Sequence, residues 1–502
     1  MTMKKNLVLL LLGLLVFTGC SKDDDTPPVV EETPDLTRED FPVQDFMYQA
    51  MNVYYLYKAD IPELADDYFT SLPNYVEYLS KNPDPENFFY DELVSDRDRF
   101  SFVTDDYVAL ENAFQGISKT DGIELSFAGY NSGGTVYAAG IIRYVAPDSP
   151  AAEKGLKRGQ AIIEINGERL TVSEQSLSSR AIELLSLDSY TLSVSSGFSA
   201  SGQLSLDTNE FNISKIQFTE NPIFLAKTLD FEGKKIGYLM YNSFVSQFDD
   251  ELNDTFAQFK ADGITDLVLD LRYNGGGAVD SAIDLCSMIT GQNDGEVIIK
   301  RQYNDELQAY LENRAPEILT NRFNSTIYTG TENEASINSL GLNRLYVIGL
   351  SDYTASASEL TVVGLEPYID VKLIGNGTVG KFEASSTFYD SEDLGRENAN
   401  PDHTYAIQPL ILKYVNAAGF GGASSGLVPD FQATEALNNL GTLGDPEEPL
   451  LKIALNQILG RSSVSSKSNL SGKTNYQQIK GNFDHSPAYQ RMYVNDIPVI
   501  KN

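Results

Sequence analysis

Apolar positions change their spacing twice along the chain. In FPVQDFMYQAMNVYYLY, Phe46, Met47, Ala50, Val53 and Tyr54 recur at three- and four-residue steps, which predicts an amphipathic helix with one buried stripe. LPNYVEYLS and YVALENAF predict further helix pieces. Over 136–170 the pattern becomes strand, short helix, turn, strand, turn. Ser149 is placed to cap a helix begun at Pro150, and Gly155 to end it in a left-handed conformation. AIIEING reads as a strand running into an Asn-Gly turn. A helical stretch over 172–185 and a strand over 190–195 are expected next. From Lys234 strands and helices alternate. A strand is predicted over 236–242, then a helix with Leu252, Phe256 and Phe259 on one face. TDLVLDLRYNGGG is a buried strand entering a glycine turn. Val279, Ile283, Cys286 and Ile289 mark the next helix face, with Cys286 as a small buried hydrophobe. RLYVIGL and VKLIG are further strands, and GDPEEPLLKIALNQIL a closing helix. This order predicts an α/β core with a largely parallel sheet. The Ser- and Asn-rich tail from Arg461 is expected to pack loosely.

A length of 502 residues favours two or three domains over one core. Lys4 and Lys5 precede a short apolar run, 7–17, too short to span a bilayer in the usual way. It ends in VFTGC, so residues 1–19 read as a leader. SKDDDTPPVVEETPDL, acidic and proline-rich, cannot bury a core and makes 20–37 a flexible tether. The remaining shifts give a helical domain over 38–119, a small mixed domain over 120–207, the α/β core over 208–460 and the tail over 461–502. Acids outnumber bases 71 to 37, for a formal charge of −34. That field repels nucleic acid and anionic membrane, and says little about fold.

Candidate chemistry gathers at SDYTASASEL. Ser356 falls between a buried strand and a helix start, where open α/β sheets bind ligands and free backbone amides point outward. The Ala357 amide is placed to donate to an oxyanion, and the glycine turn YNGGG offers a second donor. No P-loop lysine follows that turn, so nucleotide binding competes poorly. The chain has two histidines, His403 in a polar loop and His485 in the tail, and neither is well placed as a base. Lys381, in IGNGTVGKFEASS, follows a strand and a glycine turn. A Ser-Lys pair needs a neutral amine. Lowering a lysine from ~10.4 to a working pH near neutrality costs about 4 kcal/mol, which burial can supply. Val379 and Phe382 are compatible with that.

VFTGC resembles the lipobox of bacterial lipoproteins, with Phe17 at a position more usually leucine. The resemblance implies cleavage before Cys20, diacylglycerol on its thiol, and an outer-membrane lipoprotein of the cell envelope. SKDDD after that cysteine resembles acidic signals that send some such proteins to the cell surface. The 136–170 stretch resembles a PDZ domain of the bacterial protease type, with Gln160 where aspartate is usual. Such domains bind extended peptides by strand addition. TASASE, the lysine 25 residues after Ser356, LVLDLRYNGGG and the inserted PDZ-like stretch together resemble the carboxyl-terminal processing (tail-specific) serine proteases, over roughly 122–460. The resemblance implies a multidomain fold: an α/β crotonase-like core with a parallel-rich sheet, an α+β PDZ domain gating the cleft, and a small N-terminal helical domain. It implies Ser356 as nucleophile, Lys381 as base, and Ala357 and Gly276 as oxyanion donors. Many members have Gly-Lys-Gly and a glutamine four residues after the lysine; this chain has Gly-Lys-Phe and Ser385. The third member is therefore Glu383 or Ser385.

The reading is a lipid-anchored serine endopeptidase acting on polypeptides, without cofactor. Metal chemistry is not expected, because HExxH is absent and two distant histidines make a poor ligand set. The rival reading is a lipoprotein that captures peptides or apolar ligands on the same fold without cutting them.

Overall fold

The computed structural model describes residues 36–461, 477–479 and 491–498. The leader, Cys20, the tether and His485 lie outside the described residues.

Helix α1 (Pro42–Tyr54) opens with proline, whose fixed φ suits the first helical position. Helix α2 (Leu72–Leu79) is capped by Ser71, whose Oγ accepts the Asn74 amide. The buried face of α1, Phe46, Met47, Ala50 and Tyr54, shares one apolar cluster with Leu239, Leu267 and Leu269 of the central sheet. A strand at Phe102–Thr104 pairs with Ala406–Gln408. The helical region is therefore built onto the α/β core, because a helix pair this small cannot cover its own apolar face.

Strands β1 (Ile123–Ser132) and β2 (Thr135–Val145) form a long hairpin. Ser149 Oγ accepts the Ala152 amide at the start of a single helical turn, and Gly155 follows at φ +74°. Strand β3 (Ala161–Ile165) turns through Asn166 and Gly167, both at positive φ, into β4 (Glu168–Ser173). The helix expected from 172 starts later. Val172 and Ser173 stay in the sheet and pair with Leu177 and Ser176, and Glu174 takes a positive φ. Helix α3 (Ser179–Ser186) begins where Ser178 caps it. Strands β5 (Ser189–Ser195) and β6 (Thr208–Ser214) complete this domain.

The core runs β7 (Ile223–Phe231), β8 (Lys234–Tyr241), α4 (Asp249–Asp262), β9 (Asp266–Asp270), β10 (Gly277–Ala278), α5 (Val279–Thr290), β11 (Val297–Gln302), β12 (Arg344–Gly349), α6 (Ala357–Leu365), β13 (Asp370–Gly375), β14 (Glu383–Ser385), β15 (Leu410–Asn416), β16 (Phe431–Gln432) and α7 (Pro449–Ile458). The main sheet is ordered β7-β8-β9-β12-β13-β16 and is parallel except for β7. Side chains alternate across it. Leu239, Leu267, Leu269 and Val347 face the cluster that holds α4, α5 and α6, while Tyr238, Met240, Val268 and Ile348 face α7. Both faces are covered, as parallel strands require. Cys286 on α5 is fully buried, as expected, and burial pushes its thiol up.

The described parts of the tail depart from expectation; the rest of it lies outside the described residues. Strand β17 (Gln477–Ile479) pairs with β1. Strand β18 (Met492–Tyr493) lies between β10 and β14 in a second, six-stranded sheet that runs β10-β18-β14-β15-β11 and ends on the strand Thr320–Arg322. Met492, Tyr493 and Val494 are buried. Average composition marked the tail as loose, but pairing needs only a few backbone groups.

Glu435 joins the inserted domain to the core. Its carboxylate accepts from Arg143 and Arg158 of that domain, and from Arg272 and Tyr273 of the core. Arg272, fully buried, also forks onto Asp270 and Glu448. Burial alone would raise the Glu435 carboxyl, but the three guanidiniums outweigh it and hold it far below the usual range. Glu435→Gln should therefore cost about 3–5 kcal/mol at pH 7, as breaking a buried ion pair does. The folded-state pKa is depressed, so this stability is present above the unfolded value of ~4.3 and is lost as pH falls below it. Chemical denaturation of both proteins at pH 7 and pH 4 should show the gap narrowing in acid.

Candidate active site

Strand β12 ends at Gly349, and the chain turns back through 350–356 before α6. Thr354 fixes this turn: its Oγ1 donates to Leu271 O and accepts the Leu350 amide, each at 2.8 Å. The Ala355 amide and the Ser358 hydroxyl both donate to Asn274 O. Ser356 is fully buried and sits at φ +64°, ψ −118°. That conformation is costly for a residue with a Cβ and is kept only where the surroundings over-determine it. Its amide donates to Glu359 Oε2 at 3.0 Å. Ala357 is the first residue of α6, so its amide has no carbonyl to bond within the helix.

The glycine turn lies against this serine. Asn274 Nδ2 donates to Tyr241 O, and the Gly276 amide donates to Asn274 Oδ1, both at 2.8 Å. Gly276 is at φ +113°, and a Cβ there would lie 2.5 Å from Ser356 Cβ and 3.2 Å from the Ala357 nitrogen. Glycine is required. The structure thus brings Ser356, Ala357 and Gly276 together, with the Gly276 amide turned toward Asn274.

Lys381 arrives from the neighbouring strand. After β13 the turn ends at Gly380 (φ +86°), where a Cβ would strike Ser424 O and Gly426 N. The amides of Gly380 and Lys381 donate to Glu359 Oε1 and Oε2, each at 2.8 Å, and Thr378 Oγ1 donates to Oε1. One buried carboxylate therefore accepts from the main chain of both Ser356 and Lys381. Burial pushes the Glu359 carboxyl up, against the pull of these four donors. The Lys381 side chain is fully buried, with its amine 4.9 Å from the centre of the Phe100 ring. Burial, then the charge of Arg491, lowers its pKa well below the ordinary value; Glu383, Asp98 and Glu359 oppose that.

Both candidates for a third member lie on β14. Glu383 accepts from Tyr57 OH and from the Phe382 amide. Ser385 Oγ donates to Gln408 Oε1 at 3.0 Å and lies 3.2 Å from Met492 O. Gln408 reaches Ser385 from another strand. His403 is engaged elsewhere: Nε2 pairs with Asp390, Nδ1 accepts the Tyr405 amide, and the ring stacks on Phe46.

Four contributors escaped the sequence. Phe100 and Arg99 come from the N-terminal region, where no chemistry was expected; Arg99 Nη2 donates to Gly380 O. Asp98 holds that loop by accepting the amides of Phe100 and Ser101 and the Tyr55 hydroxyl. Arg491 comes from the tail. The available signal was SDRDRFS, a charged run around one aromatic, which matches no motif.

Residues 235–431 match the model of peptidase family S41, 42–102 that of the peptidase S41 N-terminal domain, and 141–188 that of a PDZ domain. A carboxyl-terminal-processing protease of Synechocystis sp. is 21% identical over 324 residues, 64% of this chain and 65% of that protein. A CtpA-like serine protease of Staphylococcus aureus is 25% identical over 163 residues, 32% of this chain and 28% of that protein. The chain thus spans less than two thirds of the length of these relatives. The crystal structure of a Bacteroides fragilis protein described as an S41 protease shares the fold, with a TM-score of 0.61 at 24% identity, covering 83% of this chain and 97% of that one.

A buried amine with a lowered pKa carries a stability cost. Between its folded value and ~10.4 the unfolded chain binds the extra proton, so stability rises with pH. Lys381→Met, of similar length and apolar, should unfold at higher denaturant than the parent at pH 7. The advantage should shrink toward pH 10, and an unchanged gap would count against a buried neutral amine.

Proposed function

The chain belongs to peptidase family S41, and on that premise we propose that it is a serine endopeptidase using Ser356 as nucleophile and Lys381 as base. The observation that carries this is the Glu359 carboxylate, which accepts the amides of both residues and so ties their segments together. The neutral amine of Lys381 takes the Ser356 proton as Oγ attacks a peptide carbonyl. The tetrahedral oxyanion is met by the Ala357 amide at the helix start; the Gly276 amide, held by Asn274 Oδ1, serves as a second donor only on leaving that partner. Collapse breaks the C–N bond, the leaving amine takes the proton from Lys381, and water hydrolyses the resulting ester by the same base. Ser385, fixed by Gln408, suits a neutral lysine better than Glu383, whose charge favours the ammonium. The PDZ domain takes the polypeptide by strand addition, at an exposed segment or a C-terminus.

Capture without cleavage would show as peptide binding with no labelling of Ser356 by a covalent serine probe. Ser356→Ala and Lys381→Ala should each abolish cleavage of an unfolded protein, the double variant being little worse, because members of one unit are not additive. Ser358→Ala should keep substantial activity. Activity should rise with pH through the folded-state pKa of Lys381, and Lys381→Arg, always charged, should be inactive. Full activity in Lys381→Ala would sink the pair.

We also propose that lipid on Cys20 anchors the enzyme in the outer membrane of the cell envelope, with the 20–37 tether holding the core off the surface. The support is VFTGC and the acidic, proline-rich stretch after it. A net charge of −34 gives the chain little attraction to anionic headgroups. Cys20→Ser should therefore release the protein from membranes in fractionation while its purified core stays active. A variant that still pellets after a salt wash would place the anchor elsewhere.

A further inference from the structure

The two peptide-receiving edges of this molecule are both filled by its own tail. Residues Gln477, Gln478 and Ile479 pair antiparallel with Gly129, Ala128 and Phe127 of β1, the outer strand of the PDZ domain. Ile479 is buried in the apolar cluster of that domain. Beside it a cavity of about 400 Å³ runs between β1 and α3, lined by Ile123, Leu125, Ile182 and Leu185. Strand addition beside such a groove is how a PDZ domain takes a peptide.

The second contact is at the candidate catalytic centre. Met492 and Tyr493 pair in parallel with Gly277 and Ala278, directly after the glycine turn. On the other side Tyr493 pairs with Ser385, the Val494 amide donates to Ser385 O, and Ser386 Oγ donates to Val494 O. The tail is thus a strand threaded between the segment carrying the glycine turn and the segment that follows Lys381. A Cβ on Gly276 would lie 2.5 Å from Arg491 O and 2.5 Å from Ser356 Cβ, so that carbonyl and the serine are no further apart than twice this. A backbone carbonyl beside the serine, in an extended strand bonded on both sides, is what an incoming polypeptide would present.

We propose that the C-terminal segment is an intramolecular plug. It holds the PDZ edge with 477–479 and the catalytic slot with 491–494, and an extended polypeptide must displace it to be cut. This rests on the proteolytic reading of the same site. Two attachments on one chain reinforce each other, because release at one end leaves the other tethered at high effective concentration. A competing polypeptide that takes the PDZ edge removes that advantage, so engagement of the PDZ domain is coupled to clearing of the slot without any change in the core. The alternative is a permanent structural strand, which would leave the slot closed to polypeptides.

The test uses the full chain. Cysteines at a paired position, Ala128→Cys with Gln478→Cys, lock the tail to the PDZ edge when oxidised. The oxidised form should cleave an unfolded protein at least about tenfold more slowly than the reduced form of the same sample. Ile479→Asp and Met492→Asp should release the tail and raise cleavage by a similar factor, with thermal melting confirming the fold. Where the parent cleaves, equal rates in oxidised and reduced forms, or folded release variants no faster than the parent, would overturn the plug. A second readout needs no turnover. In a Ser356→Ala background, a labelled peptide of residues 477–498 should bind the Met492→Asp chain, read by anisotropy, and fail to bind the chain whose tail is intact. Binding of that pattern with no cleavage by any form would uphold the plug and defeat the protease reading. No binding to any released form would defeat the plug alone.

Discussion

The Glu359 carboxylate is the constraint around which the site is arranged. Its two oxygens accept the amides of Ser356, Gly380 and Lys381 and the Thr378 hydroxyl. Those donors come from the start of α6 and from the turn after β13, two segments that also meet where the Val379 amide donates to Thr354 O and the Ser351 amide to Asn376 Oδ1. A carboxylate buried this deeply is costly unless its lone pairs are filled. Both segments must therefore be in place before the group is tolerated, and each fixes the other. The positive φ of Ser356 belongs to the same bargain: the amide that this twist directs at Glu359 is part of what sustains the strain.

Around that centre the core is ordinary and the junctions are specific. Alternating side chains on parallel strands bury two apolar faces with no unusual chemistry. The inserted domain, by contrast, has at its junction one acidic residue shared among guanidiniums, and Arg272 passes that connection to the strand leading into the glycine turn. The N-terminal region contributes in a different way. Its loop at Asp98–Ser101 places an aromatic face under the Lys381 amine, which excludes water without supplying a proton acceptor.

What could be read from the residues follows from range. RLYVIGL, LVLDL and VKLIG are short apolar runs between helical patterns, so the parallel core and the positions of Ser356 and Lys381 were legible before any coordinates. The cap at Ser149 and the Asn166-Gly167 turn were equally local and came out as expected. The stretch after Val172 did not: a helix is expected from 172, and the positive φ at Glu174 and the cap at Ser178 move its start. Gln408, Phe100 and Arg491 were invisible for another reason. Each reaches the site through contacts with residues far away in sequence, and nothing in the periodicity of its own neighbourhood reports that. The tail shows this most plainly, since Met492 and Tyr493 are held by backbone groups of two distant strands.

The burial of Lys381 carries a further consequence. On the proposed mechanism, an amine kept neutral by burial cannot be wetted and stay armed. Any opening that lets water reach it allows a proton back on, and the group then stops being a base. On that mechanism, loosening of the N-terminal loop or partial unfolding would each disarm the chemistry at the moment the interior is exposed. The competence of the site and the integrity of its walls are then one property, and a damaged copy of this chain is a harmless one.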